Sequence, residues 1–161
     1  MPKNAVFVCL IVLLAVPVFL PQLLYADEKP GLSSGQMIYV PAYSHIYGGS
    51  RERPFLLTVT LSIRNIDPKH EINITAVDYY ETQGKLLKKF LEKPVVLKQM
   101  ESIRYIIPEK DKTGGSGANF IVTWEAAKPV NPPVVESVMI GTKSQQGISF
   151  SSRGRVVIPS E

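Results

Sequence analysis

Residues 55–63 alternate strictly, with Phe55, Leu57, Val59, Leu61 and Ile63 on one parity and Leu56, Thr58, Thr60 and Ser62 on the other. A period of two sends every second side chain to the same face, so this stretch reads as a strand with one buried and one wetter side. Such a strand needs neighbours, and the chain supplies them as short β-rich runs over residues 72–80, 86–91, 95–97, 102–107, 119–126 and 134–140. Residues 148–150 and 155–158 read as a last hairpin through Ser152, Arg153 and Gly154. Turn signals separate the runs: Asp67-Pro68, Gly84 in a tight hairpin, and a stiff connection over residues 129–133. No run of helical period competes with them. About eight short strands with frequent turns predict an all-β fold, a single antiparallel β-sandwich of immunoglobulin-like type.

Three strands carry the expected core. Phe120, Val122 and Trp124 share a parity and are expected to meet Leu57, Val59, Leu61 and Ile63 across two sheets. In residues 72–80 the parity changes: Ile72, Ile74 and Ala76 point one way, then Val77 and Tyr79 become the better core candidates. Either a bulge near Ala76 or burial on both faces is required.

The N-terminus limits where such a domain works. Lys3 precedes an unbroken apolar run over residues 5–20, and small Ala26 stands before Asp27 and Glu28, the pattern of a cleavable signal peptide. The expected organisation is a signal peptide over residues 1–26, a flexible leader over 27–35 and the sandwich over 36–161. An uncleaved N-terminal membrane anchor is the competing reading, opposed by Pro17 and Pro21, which break a helix interior. Export to a periplasm or cell envelope is the consequence, with no membrane span after cleavage. Cys9, the one cysteine, lies inside the apolar run, so neither a disulfide nor thiolate chemistry is available beyond Ala26. Only Lys3 of the 18 basic residues precedes Asp27, leaving 17 against 14 acidic ones and a weak balance of +3. Basic residues are scattered, without the dense stripe and interleaved aromatics that nucleic-acid binding would favour.

Two constellations stand out. Tyr39, Tyr43, His45 and Tyr47 share a parity, so a chain extended past Pro41 would gather them into an aromatic face suited to a flat ligand. The bland explanation is a first strand covering a sheet edge. The glycine-dense stretch of Gly114, Gly115, Ser116, Gly117, Ala118 and Asn119 could turn free N–H groups toward an anion, or could simply connect strands through positive φ. It is no phosphate loop, because it leads into a strand and no Lys-Ser/Thr pair comes after its last glycine. His45 and His70 are the only histidines, and neither has a metal-ligand spacing, so no metal and no cofactor are expected. Ser116 lacks the G-x-S-x-G setting of a nucleophile elbow.

Several phrases together resemble one family. They are residues 39–47, 61–65, Tyr79-Tyr80 with Gly84-Lys85-Leu86, 114–120, Met139-Ile140-Gly141 and 147–150. The chain resembles the bacterial domain of unknown function family 3124 over nearly all of its length beyond the leader. That resemblance implies a small exported bacterial protein and carries over no activity, ligand or catalytic residue. The expected function is a non-enzymatic envelope module that binds a protein or glycan, through Tyr39, Tyr43, His45, Tyr47, Gly114, Gly115, Ser116, Gly117 and Asn119. The alternative is an envelope hydrolase using His45 and Ser116, which would require those two and a carboxylate to converge.

Overall fold

The computed structural model of the chain describes residues 31–48, 53–143 and 146–157; the expected signal peptide lies outside them. Among the described residues twelve strands run in order: β1 (Ser33–Pro41), β2 (His45–Ile46), β3 (Phe55–Leu56), β4 (Thr58–Arg64), β5 (Ile72–Tyr80), β6 (Leu86–Lys89), β7 (Val95–Leu97), β8 (Ser102–Ile107), β9 (Asn119–Val130), β10 (Val134–Lys143), β11 (Gln146–Arg153) and β12 (Arg155–Val157). A 3₁₀ turn, Gly115–Gly117, precedes β9. One sheet has the order β12-β1-β9-β5-β6, with β7 beside β6 on β5; the other has the order β11-β10-β4-β8. All pairings are antiparallel, and β2 with β3 forms a separate two-stranded ribbon. This is the antiparallel sandwich that the alternation predicts.

The inner faces hold the core. Leu57, Val59, Leu61 and Ile63 face Val40, Ile74, Val77, Tyr79, Phe120, Val122 and Trp124 in one cluster, each of them almost wholly buried. On β4 the burial alternates residue by residue as its sequence does. The change of parity in β5 is a bulge: the register on β9 slips between Ile74 and Ala76, so Ile74 and Val77 both reach the core. An extra residue on one strand is the inexpensive way to bury both parities without unpairing the ladder.

Two sequence-derived boundaries move. β1 opens at Ser33, within the stretch read as leader, and β9 continues through Pro129 to Val130. The ladder there is irregular, with Ser33 opposite Val130 and Gly35 opposite Glu125, which accommodates a proline that donates no hydrogen bond. The expected C-terminal hairpin does not form. β11 pairs with β10 in one sheet and β12 with β1 in the other, so Gly154 is the corner at which the chain changes sheets. Its amide donates to the Val135 carbonyl at 2.8 Å, and a Cβ there would run into the Ile38 side chain. Turn-like residues announce a reversal but do not say which strand receives the chain afterwards.

Opposite ends of the sandwich are closed differently. At the end where β4 finishes, Asp67 is buried, and its carboxylate accepts from the Lys69 and His70 amides, His70 Nδ1, and both the amide and side chain of Asn131. Asn65 Nδ2 reaches the His70, Leu97 and Lys98 carbonyls at 2.8–3.2 Å. At the other end, residues 42–47 meet the glycine turn.

Candidate functional site

Pro41 ends β1, but the next residues stay attached to the start of β9. The Ala42 amide donates to the Ala118 carbonyl at 2.8 Å, and the Ser44 amide donates to the Gly115 carbonyl at 3.0 Å. Ser44 Oγ donates to that same carbonyl at 3.1 Å, and the Leu57 amide donates to the Ser44 carbonyl. Ser44 is therefore wholly buried, a polar latch between the aromatic segment and the glycine turn.

That latch fixes His45 and, through it, Tyr47. His45 Nδ1 lies 3.4 Å from Ser44 Oγ, and His45 Nε2 lies 3.2 Å from the Tyr47 hydroxyl. Because the Ser44 hydroxyl hydrogen points to Gly115, the network assigns Nδ1–H as donor to Ser44 and Nε2 as acceptor from Tyr47. The two rings stand edge to face, 5.2 Å between centroids and 86° between planes. Tyr47 is 52% exposed, while Tyr43 is half-buried with its ring 5.7 Å from Phe150 of β11.

Tyr39 does not join this group. It stands on the outer face of its sheet, between Ile121 and Arg155, because Ile38 and Val40 on either side point into the core. Shared parity fails as a guide here because strand geometry ends at Pro41, so residues beyond it no longer alternate in phase with Tyr39. His45 and Tyr47 stand together beside the glycine turn, while the Tyr43 ring lies against Phe150 at the edge of the core.

The turn itself is built from packing requirements. Gly114 is buried against the hydroxyl of Tyr79, which occupies the space a side chain would need, and Gly115 has φ +78°. Thr82, from the β5–β6 hairpin, donates its hydroxyl to the Gly114 carbonyl at 3.0 Å and accepts from the Gly117 amide at 3.1 Å. The Gly115 amide donates to the Lys112 carbonyl. Two of the amides that an anion-binding nest would offer are thus already engaged. Asn119 opens β9 between Pro41 and Tyr80. Ser116 is half-buried, and His45 makes its hydrogen bonds to Ser44 and Tyr47; among the described residues none joins His45 to Ser116 or to a carboxylate.

Thr82, Tyr79, Ser44 and Phe150 support the site and escape sequence reasoning, since each meets its partner across at least 32 residues or in another sheet. Tyr79 is the clearest case. It is 1% exposed, burial and then the Asp111 carboxylate push its hydroxyl up to about 12, and that hydroxyl finds no hydrogen-bond partner among the described residues. A faint signal existed in the tyrosine itself, placed at a core parity where phenylalanine would avoid the cost of an unpaired hydroxyl.

The chain belongs to the family described as protein of unknown function (DUF3124), whose profile matches residues 35–157. That span runs from Gly35, within β1, to the last residue of β12 and takes in both the latch and the glycine turn. No curated protein matches the sequence. The crystal structure of Thermotoga maritima 1070 is similar to 77% of this chain and 96% of its own, at 13% identity and a TM-score of 0.43.

Proposed function

We propose that this DUF3124 member is a non-enzymatic interaction module of a bacterial cell envelope, exported by its apolar N-terminal segment. Tyr43, His45 and Tyr47 form the surface on which it receives a protein or glycan partner. The observation that carries this reading is the Ser44 latch. Backbone hydrogen bonds to both Ala118 and Gly115 hold the segment, yet the Tyr47 ring projects into solvent with its hydroxyl oriented by His45. An aromatic ring held in place loses little entropy on binding and offers an apolar face together with a directional polar edge. The histidine serves to orient a tyrosine here; the Ser44 hydroxyl beside its other nitrogen is buried and donates to the Gly115 carbonyl, and among the described residues no carboxylate is hydrogen-bonded to His45.

The test is photocrosslinking from a reactive group installed at Gly48 in the native host, followed by purification of the adduct. The reading expects a discrete adduct that disappears in Tyr47→Ala and weakens in His45→Ala, with denaturant midpoints near that of the wild type. Adducts that persist unchanged in both variants would overturn it.

A further inference from the structure

Across the outer face of the β11-β10-β4-β8 sheet, register places Arg104 directly opposite Ser62, Ser62 opposite Glu136, and Glu136 opposite Arg153. Arg64, two residues from Ser62, leans onto the same spot: its Nε donates to Ser62 Oγ at 3.1 Å and its Nη2 lies 3.1 Å from Glu136 Oε1. Three arginines therefore lie on a face with one carboxylate, and that carboxylate pairs with Arg64. Arg64 and Arg104 occupy diagonal cross-strand positions, where like charges repel, and among the described residues no ion pair forms at Arg104 or Arg153. Between them lies a shallow groove of ≈ 270 Å³, lined by Thr60, Ser62, Arg64, Ser102, Arg104 and Val138.

We infer that this groove is a binding site for an oxyanion, a phosphate, sulfate or carboxylate group carried on a larger ligand, gripped between Arg64 and Arg104. Three features converge on that chemistry. Arg64 is pre-positioned by Ser62 and Glu136, which lowers the entropy lost when it engages a ligand. Arg104 lies on the adjacent strand with its charge unmatched, and guanidinium groups suit the paired oxygens of phosphate and carboxylate. Thr60 and Ser102 add hydroxyl donors to the floor, so an anion would meet neutral and charged donors together. The groove's size suits one anionic group with the ring or chain segment that bears it. This site lies on a sheet face, away from the Tyr47 surface at the end of the sandwich, and does not depend on it.

Inorganic phosphate and an oligogalacturonate, titrated separately into the full-length chain at constant ionic strength in nonionic detergent, test the inference through the arginine Nε–H signals. Saturable shifts confined to Arg64 and Arg104 are expected, with a dissociation constant for free phosphate on the order of millimolar. Arg104→Gln is expected to weaken binding about tenfold, the effect of losing one charge-assisted hydrogen bond. Lys88→Gln, which removes a cation on the other sheet, and Tyr47→Ala should leave binding unchanged. Saturation by phosphate alone would identify a tetrahedral anion as the preferred group, and saturation by the oligogalacturonate a carboxylate; either supports the site. Absence of saturation with both probes, equal shifts at all arginines, or equal loss in Lys88→Gln would overturn it.

Discussion

Trp124 shows how a single side chain can be indispensable by volume and costly by chemistry. It is 1% exposed in the centre of β9, and its indole Nε1 has no hydrogen-bond partner among the described residues. Trp124→Ala should lower stability by about 3–5 kcal/mol through the cavity it leaves. Trp124→Phe should lose clearly less, because it also removes an unpaired buried donor. Chemical denaturation of both variants measures the two effects separately, and an alanine variant with an unchanged midpoint would remove Trp124 from the core. Asp67 makes the opposite bargain, a buried carboxylate with every oxygen engaged. The Asn131 amide foremost, then the amides of Lys69 and His70 and the Asn131 side chain, outweigh burial and hold its carboxyl well below the usual carboxylate range. A depressed folded value means the stabilisation is fully present above the unfolded value, about 3.9, and is lost as pH falls below it toward the folded one. Equilibrium unfolding as a function of pH should therefore show wild-type stability declining below about pH 4. Asp67→Asn should be less stable at neutral pH and flatter over the acid range.

At the scale of elements, the connections decide more than the strands. β11 and β12 are separated by Gly154 alone yet belong to different sheets, so one residue carries the chain across the core's edge. A methyl group there would press on Ile38, and Val40 also lies close by. Gly154→Ala should thus destabilise by about 1–3 kcal/mol through overpacking. Hydrogen exchange should quicken first along β1 and β12, which pair there; exchange that quickens uniformly would argue against the corner as the point of strain. The β5 bulge has the converse character: its parity change was written in Ile72, Ile74, Val77 and Tyr79, and the ladder only had to accommodate it.

For the whole molecule, the sandwich leaves its two ends and its outer faces to do different things. The Asp67 and Asn65 network closes one end, and the Ser44 latch holds residues 42–47 against the glycine turn at the other. The N-terminal apolar run would bring the chain to an envelope, and cleavage after Ala26 would free a domain whose first strand begins at Ser33. Intact-mass measurement on protein from the native host is expected to show a chain beginning at Asp27. A mass that retains residues 1–26 would make the protein membrane-anchored and fix its orientation relative to any partner.

By itself, the sequence determined the layer architecture, because an alternating pattern such as that of residues 55–63 can bury its apolar parity only against another such face. It determined much of the core for the same reason and marked the parity break near Ala76, which the structure resolves as a bulge. It also singled out the candidate region, since Tyr43, His45, Tyr47 and the glycines are conspicuous as residue types. Tertiary structure decided which of them meet. Tyr39 was lost to an outer face because strand geometry ends at Pro41 and the later aromatics no longer alternate in phase with it, the glycines proved necessary for Tyr79 and Thr82 to pack, and the groove of arginines came from the register of three strands far apart in the chain. Alternation is a local property, readable within one strand, whereas register and sheet membership are settled by all the strands together when they close around one core.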